Sequence, residues 1–527
     1  MARIQETSAT SYRAFLDYLR QNGELLDVHK EVDANLEAAA IVRKSTETRS
    51  EAPLFHNVAG AKNGLWRIAG AVGALGKTEE TKYGRIAGHL GLPITSSIKD
   101  VVNKMLASKT ALPIPPRVVA SGPCKQNIIR GAEIDLDNLP VPMIHEKDGG
   151  KYLQTFGFHV VQTPDEKWTS WSMQRAMVYN KNHLVGLAVD KIEHNGSVRE
   201  QWKAQGKDMP WALVLGGPPA ATMVSSMPLP EGVSEGEYIG SVLGYPIDVV
   251  KCETSNLYVP ATAEIVIEGV VSSTELANEG PYGEMHGYLY PSDIVPDMPL
   301  FRIDAITYRD NAILPITATG RAADETVRIP FHFQLEIIML ANIIITYQHT
   351  ILGPVMSTEI IRRTQEAGLP IKEAFVPFEG HGVWAVLQVD GAKLREMNTT
   401  AKELSKKVAD VVFQVKPGFF LHRIFLVGDD VDPFDFKEVT WAYATRCRPG
   451  MDEFLFDDFP GFFLIPFMLH GPGNGHVGGK MVSNCLLPVE YTTGRDWINM
   501  SFEEAYPEKI RERVLSEWNE LGYTSQP

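Results

Sequence analysis

The sequence predicts a mixed α/β protein with a β-rich centre, and three textures carry that expectation. Residues before about 115 combine amphipathic helical patterns with a strand-like run. Residues 119–325 carry short β-rich runs, such as FHVVQT, ALVLGG, AEIVIEGVV and FRIDAITY, between Gly, Pro and Asp turns, the pattern of a β-barrel or sandwich. From about 370 onward strand and helix patterns alternate, as in an α/β layer. A chain of 527 residues has room for roughly two to four domains.

Taken in order, Ser11 is placed to cap a helix whose apolar face is Phe15, Leu16 and Leu19, with Gly23 as its stop. A strand-like run over 24–32 follows, then a helix over 35–44, and residues 81–107 read as helix. Pro113, Pro115 and Pro116 stiffen a boundary near 115. In the last third VWAVLQVDG reads as strand, AKELSKKVADVVF as helix and HRIFLVGDD as strand. The final helix opens at Pro507, presents Ile510, Val514, Trp518 and Leu521 as one stripe, and stops at Gly522. Such a stripe covers its own domain or docks on a second subunit.

Composition excludes several classes. The chain is 44% hydrophobic and 22% charged, ordinary for a soluble globular protein. A net charge of −15 argues against nucleic acid as a main partner, since phosphate binding needs a basic face, but leaves room for a local basic pocket. Cys124, Cys252, Cys447 and Cys485 form no CxxC pair, which argues against a zinc-thiolate site and fits a reducing compartment. The N-terminus has no apolar run, so the cytoplasm is the expected location. The apolar run 335–345, LEIIMLANIII, falls short of the about 20 residues of a membrane span and reads as a buried helix or strand.

The richest stretch is Glu279-Gly-Pro-Tyr-Gly-Glu284-Met-His286-Gly. Gly280, Pro281 and Gly283 forbid a helix interior, so two acids sit close together on a turn. Interacting carboxylates cannot both ionise freely, which suits proton transfer; a solvated turn is the alternative. Arg175, in WTSWSMQRAM, is flanked by apolar residues and needs a carboxylate partner, an anionic ligand or a structural ion pair. Val224-Ser225-Ser226-Met227-Pro, with Glu235 downstream, suits a phosphate, a hard cation or a capped helix start. His194 and Lys416 are individually uninformative. The loop 471–480 misses the Walker spacing and reads as flexible, and Asp429-Asp430-Val-Asp432 lacks EF-hand spacing and reads as an acidic strand end.

Together these stretches resemble the UbiD-type decarboxylases, and among them the fungal ferulic (phenacrylic) acid decarboxylases. The resemblance runs through NLEAAAI, APLFHNV, DGGKYLQTFG, WTSWSMQRAM, KNHLVGL, PPAA with SSMP, VKCET with LYVPAT, EGPYGEMHGY, ADET, TRCRPGMDE and EYTTGR. It implies an N-terminal α/β domain over 1–118, a split β-barrel domain binding prenylated FMN over 119–326, a linking helix over 349–370 and a C-terminal α/β oligomerisation domain over 371–527. It implies Mn(2+) and K(+) as further cofactors, a flavin prenyltransferase as cofactor supplier, and a homodimer.

By the same resemblance Arg175, Glu279 and Glu284 form the catalytic network. Ser170, His194 and Glu235 are metal ligands, with Ser170 standing where the family has Asn. Trp171, Val224, Ser225 and Met227 surround the potassium. Met173, Arg175, Glu193, Ser225, Ser226, Met227 and Lys416 contact the cofactor, with Glu193 in place of a usual Gln. Met285, Phe462 and Leu464 line the substrate pocket. The implied reaction is reversible, non-oxidative decarboxylation of cinnamic, ferulic or coumaric-type acids to styrenes. In the family the flavin adds across the substrate double bond by 1,3-dipolar cycloaddition, CO₂ leaves, and an acid, here Glu284, protonates the α-carbon. The rivals are a UbiD-type decarboxylase of another aromatic or heteroaromatic acid and a non-catalytic flavin-binding protein.

ADET at 323–326 should run directly into the family's next motif, which His349 opens. Residues 327–348 are therefore an insertion; it begins Val-Arg and ends Tyr-Gln, as a short retained intron would, and it contains the apolar run.

Overall fold

A computed structural model describes residues 4, 6–108, 111–186, 194–227, 229, 232–284, 286–290, 297–321, 350–463, 465–494 and 499–523. The helix Tyr12–Gln21 buries Tyr12, Phe15, Leu16 and Leu19, one face at helical spacing. Ser11 stands at its N-cap position, but its hydroxyl donates to Glu6 Oε2 at 2.6 Å rather than capping the helix amides. A carboxylate acceptor makes the stronger bond. Gly23, at φ +69°, turns the chain out of the helix.

The strand expected over 24–32 is confined to Leu25–Val28, and the next helix runs Glu37–Glu47. The helix expected over 81–107 is two, Gly84–His89 and Ile98–Ser108. Gly91 takes φ +69° and Pro93 lacks the amide a continuous ladder needs. The first sheet has four strands in the order Leu25–Val28, Ala52–Phe55, Arg67–Gly70, Ile313–Ile316. Its last strand comes from far along the chain, beyond the β-rich runs, and pairs parallel with Arg67–Gly70.

The β-rich runs all form strands of a nine-stranded sheet that curls into a half-barrel. Its long strands Ile265–Ala277 and Met298–Tyr308 pair antiparallel, Ile265 opposite Tyr308, with irregularities at Glu268/Gly269 and between Val271 and Leu276. Such bulges bend a strand and increase its twist. Met209–Leu215 lies between Ile265–Ala277 and Gly157–Gln162, and Thr169–Ser172 ends the path. The chain therefore leaves the sheet edge directly into residues 173–175.

The helix Leu352–Glu366 leads to a five-stranded sheet in the order Ile371–Phe375, Trp384–Val389, Arg423–Val427, Lys480–Asn484, Glu453–Phe456. The helix Ala401–Val412 starts with a complete capping box between Thr400 and Glu403. The last helix, Glu508–Ser516, follows Pro507 and buries no side chain. The stripe expected to run on to Leu521 is cut short: Ile510, exposed, and Val514, half-buried, lie on this helix, whereas Trp518, half-buried, and Leu521, exposed, follow its end in turns. All four cysteines are free and buried. Among the described residues no helix is long and apolar enough to cross a membrane. The run 335–345 and the whole insertion 327–348 lie outside the described residues.

Candidate active site

Arg175 leaves the edge of the half-barrel on a short loop that the sheet's core braces. His159, on the neighbouring strand, donates from Nε2 to the Gln174 carbonyl at 2.9 Å and accepts from Trp211 Nε1 at Nδ1, 2.7 Å away. The guanidinium then grips Glu279 with two prongs, Nε to Oε1 and Nη2 to Oε2, both 2.8 Å. Its Nη1 meets Glu284 Oε1. Tyr152 donates to Glu279 Oε1 at 2.6 Å, and the Tyr282 ring lies 4.6 Å from the guanidinium carbon. Arg175, Glu279 and Glu284 are all buried, so the solvated-turn alternative fails. Burial pulls the Arg175 pKa down, but the charges of Glu279 and Glu284 outweigh it and leave the group well above its ordinary value. Burial, followed by the Glu279 charge, pushes the Tyr152 phenol well up.

Glu279 precedes a small hairpin, Tyr282–Gly283 against Leu289–Tyr290, and Glu284 sits in its loop. A second segment cradles it. Gly283 donates its amide to Asp148 Oδ1 at 2.8 Å, and Gly149 donates to the Pro281 carbonyl at 2.7 Å. A Cβ on Gly149 would stand 1.9 Å from the Gly280 oxygen, so only glycine lets these backbones meet.

Beside this network, Ser170, His194 and Glu235 converge from a strand and two helix starts, all buried. His194 Nδ1 lies 3.3 Å from Ser170 Oγ and 3.2 Å from Glu235 Oε1. Glu235 Oε2 accepts from the Trp171 amide at 2.7 Å. One hydroxyl, one imidazole and one carboxylate make a mixed oxygen and nitrogen donor set that suits a small divalent transition-metal cation. Among the described residues no three His, Cys, Asp or Glu side chains are grouped so as to hold a metal ion. Val224, Ser225, Ser226 and Met227 are buried at the end of the helix Pro219–Val224, which packs on the Glu235 helix. There Ser225 Oγ donates to the Thr222 carbonyl at 3.0 Å, and Ser226 Oγ to that of Met223. Neither hydroxyl caps a following helix. Next to His194, the buried Asn195 accepts from Ser172 Oγ at 2.7 Å, while its Nδ2 has no acceptor among the described residues. A cofactor oxygen would satisfy it. Met173 is buried on the Arg175 loop.

The C-terminal region supplies an aromatic wall. Phe462 is fully buried, with ring centroids 5.8 Å from Phe419, 5.1 Å from Phe420 and 5.3 Å from His286. His286 belongs to the acidic loop, so this contact joins the wall to the network. His422 fixes the wall: it accepts the Phe462 amide at Nε2, 3.0 Å, and donates from Nδ1 to the Gly479 carbonyl at 2.8 Å. Lys480, at the end of the loop expected to be flexible, starts a strand and is buried. Its Nζ donates to the carbonyls of Gly418, Phe419 and Leu421. Asp430 pairs with Arg446, which gives the acidic strand end a structural role.

Glu193, Met285 and Leu464 lie outside the described residues, as does the Lys416 side chain; the Lys416 backbone opens the turn Lys416–Phe419. The sequence reading did not single out Tyr152, Tyr282, Asp148, His159 or His422. The aromatic doublets Gly418-Phe419-Phe420 and Gly461-Phe462-Phe463 were a usable signal for the wall. Nothing in single-residue spacing pointed to the tyrosines.

Family models for 3-octaprenyl-4-hydroxybenzoate carboxy-lyase match in three parts: the N-terminal domain over 16–105, the Rift-related domain over 117–322 and the C-terminal domain over 349–485. The chain is 43% identical over 520 residues to ferulic acid decarboxylase 1 of Saccharomyces cerevisiae, covering 98% of this chain and 99% of that one. It is 40% identical over 516 residues to pyrrole-2-carboxylic acid decarboxylase of Pseudomonas aeruginosa, with 98% and 99% covered. Among solved structures, vanillic acid decarboxylase of Sedimentibacter hydroxybenzoicus in open form superposes with a TM-score of 0.76 at 25% identity, covering 97% of this chain and 99% of that one. The UbiD-class enzyme HmfF from Pelotomaculum thermopropionicum in complex with FMN superposes with a TM-score of 0.74 at 25% identity, covering 93% and 97%. With matches through all three domains and relatives alike over nearly their whole length, the chain belongs to the UbiD family of carboxy-lyases.

Proposed function

We propose that this protein decarboxylates aromatic carboxylic acids, and that its substrates are α,β-unsaturated acids of the cinnamic, ferulic or coumaric type, converted reversibly to styrenes without net oxidation. The observation that carries this reading is the buried clasp of Arg175 on Glu279 and Glu284, joined through His286 to an aromatic wall. The wall accepts a planar ring by stacking and apolar burial. The Arg175 fork suits a carboxylate, which would compete with the acids for its donors. Glu279, gripped twice and bonded to Tyr152, is the fixed partner. Glu284 is the proton carrier, delivering a proton to the carbon that CO₂ leaves.

The cofactor is proposed to be prenylated FMN, which when bound would supply the electron sink for the carbanion. Met173, Arg175, Glu193, Ser225, Ser226, Met227 and Lys416 would hold it. Ser170, His194 and Glu235 would bind Mn(2+). Trp171, Val224, Ser225 and Met227 would surround K(+), largely through backbone oxygens. Met285, Phe462 and Leu464 would line the substrate pocket. A flavin prenyltransferase would supply the cofactor. The domain division at 118, 326 and 370, with 327–348 as a retained intron, is likewise proposed; cDNA encoding those residues would refute the intron. Four free, buried cysteines fit a reducing compartment, and the cytoplasm is the proposed location. The last helix buries no side chain and leaves Ile510 exposed, which fits a second copy of the chain, hence a homodimer.

Similarity to pyrrole-2-carboxylic acid decarboxylase favours a heteroaromatic acid as second reading. Co-expression with a flavin prenyltransferase, followed by assays with cinnamic and pyrrole-2-carboxylic acids, separates the two. Release of CO₂ from cinnamic acid is expected. Flavin absorbance without CO₂ release from either acid, or from a wider aromatic panel, would overturn both and leave a flavin-binding protein.

A further inference from the structure

Beneath the hairpin that carries Glu284 the structure holds a closed ring of hydrogen bonds. The Gly283 amide donates to Asp148 Oδ1 at 2.8 Å, and the Thr319 hydroxyl donates to the Gly283 carbonyl. The Thr319 carbonyl in turn lies 2.8 Å from His145 Nε2, and His145 Nδ1 lies 3.0 Å from Asp148 Oδ2, which closes the ring. The contact is tight: a Cβ on Gly283 would stand 2.5 Å from His145 Nδ1. The ring therefore holds both polar backbone atoms of the residue before Glu284.

The protons of this ring can be counted. His159 and His422 each face one donor and one acceptor, which a neutral imidazole satisfies. His145 differs. One nitrogen faces a carbonyl oxygen and the other an aspartate, and neither atom brings a proton when the aspartate is ionised. Both nitrogens must then donate, and an imidazole with two N–H groups is the cation.

We propose that His145 is a positioning residue for Glu284, and that it works as a doubly protonated tie between Asp148 and the Thr319 strand end. The inference rests on the proposed role of Glu284 as proton carrier. Among the described residues, Asp148 on its own segment and the Tyr282 phenol, whose ring centroid lies 6.2 Å away, face His145. Arg43 reaches the same strand end, donating to the Ala318 carbonyl at 3.0 Å. Asp148 favours the cation, Arg43 opposes it, and the buried Tyr282 phenol stays neutral. Loss of the second proton at high pH breaks one link of the ring and frees Gly283, so turnover falls although Glu284 is untouched.

The test uses full-length protein labelled with ¹⁵N-histidine, free of cofactor, with a cofactor-loaded sample for kinetics. Both ring nitrogens of His145, identified by their loss in His145→Gln or, if that variant does not fold, in His145→Asn, are expected at imidazolium shifts at pH 7. The high-pH limb of kcat should coincide with their titration. In the folded variant kcat should fall roughly 10- to 100-fold, the scale of a small misplacement of a catalytic group, with KM little changed and that limb gone. A neutral tautomer at pH 7, or unchanged kcat in the variant, overturns the tie. Glu284→Gln separates the two claims: if it still turns over, the role of Glu284 fails, whatever the state of His145.

Discussion

Replacing Glu284 by Gln exchanges one oxygen for an amide and removes the transferable proton while keeping the shape. Turnover should fall by about 10²-fold or more, the usual contribution of a positioned general acid, while the cofactor spectrum persists. Arg175 is expected to behave differently, because it holds the site together. Arg175→Ala leaves two buried acids facing each other, and breaking a buried pair destabilises by about 3–5 kcal/mol. Urea unfolding of the variant should show a lowered midpoint, and a midpoint matching wild type would mean the clasp carries no structural load. At this scale Arg175, Glu279 and Glu284 were legible because Gly and Pro forced the acids onto a turn and an apolar context isolated the arginine. Tyr152 and Tyr282 were not legible. A tyrosine in a β-rich run is an ordinary core residue until the fold shows which hydroxyl meets a carboxylate.

Among elements, the decisive contact is between backbones. Gly149→Ala forces a methyl group into the Gly280 carbonyl, so the two segments must part. The expected result is a loss of about 1–3 kcal/mol of stability, the usual scale of overpacking, together with a fall in kcat larger than in the Gly131→Ala control, where open space surrounds the glycine. The control carries only the strain of a positive φ, so a similar kcat in both variants would dissociate the 145–149 segment from catalysis. Strand and helix identities in the last third were readable from their alternation and their capping box. The break in 81–107 was readable only through Gly91 and Pro93, which the apolar periodicity masked. The assignment of Ile313–Ile316 to the first sheet was beyond local pattern, because pairing partners are chosen by the whole fold.

For the whole molecule, acid should loosen the join between the centre and the C-terminal region. Burial and then His381 hold His286 at about 3, and burial and then the Lys480 charge hold His422 at about 3. Both folded values lie below the roughly 6.5 of an unfolded histidine, so the unfolded chain binds more protons in between. Their contribution is complete above about 6.5 and is lost as pH falls towards 3, at up to about 1.4 kcal/mol per pH unit for each histidine. Urea midpoints should decline across that window, less steeply in His422→Gln; equal slopes would contradict this account. Deleting residues 508–527 should turn the proposed dimer into a monomer by light scattering without unfolding the rest, since the helix buries no side chain. The first sheet raises a different matter, the timing of synthesis. Its closing strand, Ile313–Ile316, emerges from the ribosome only after the whole half-barrel. Until then the nascent chain carries an open edge along Arg67–Gly70, a template for pairing with neighbouring chains. A fragment ending near 118 should therefore self-associate rather than fold alone, and the yield of the full protein should depend on how quickly, or with what chaperone cover, translation passes residue 316.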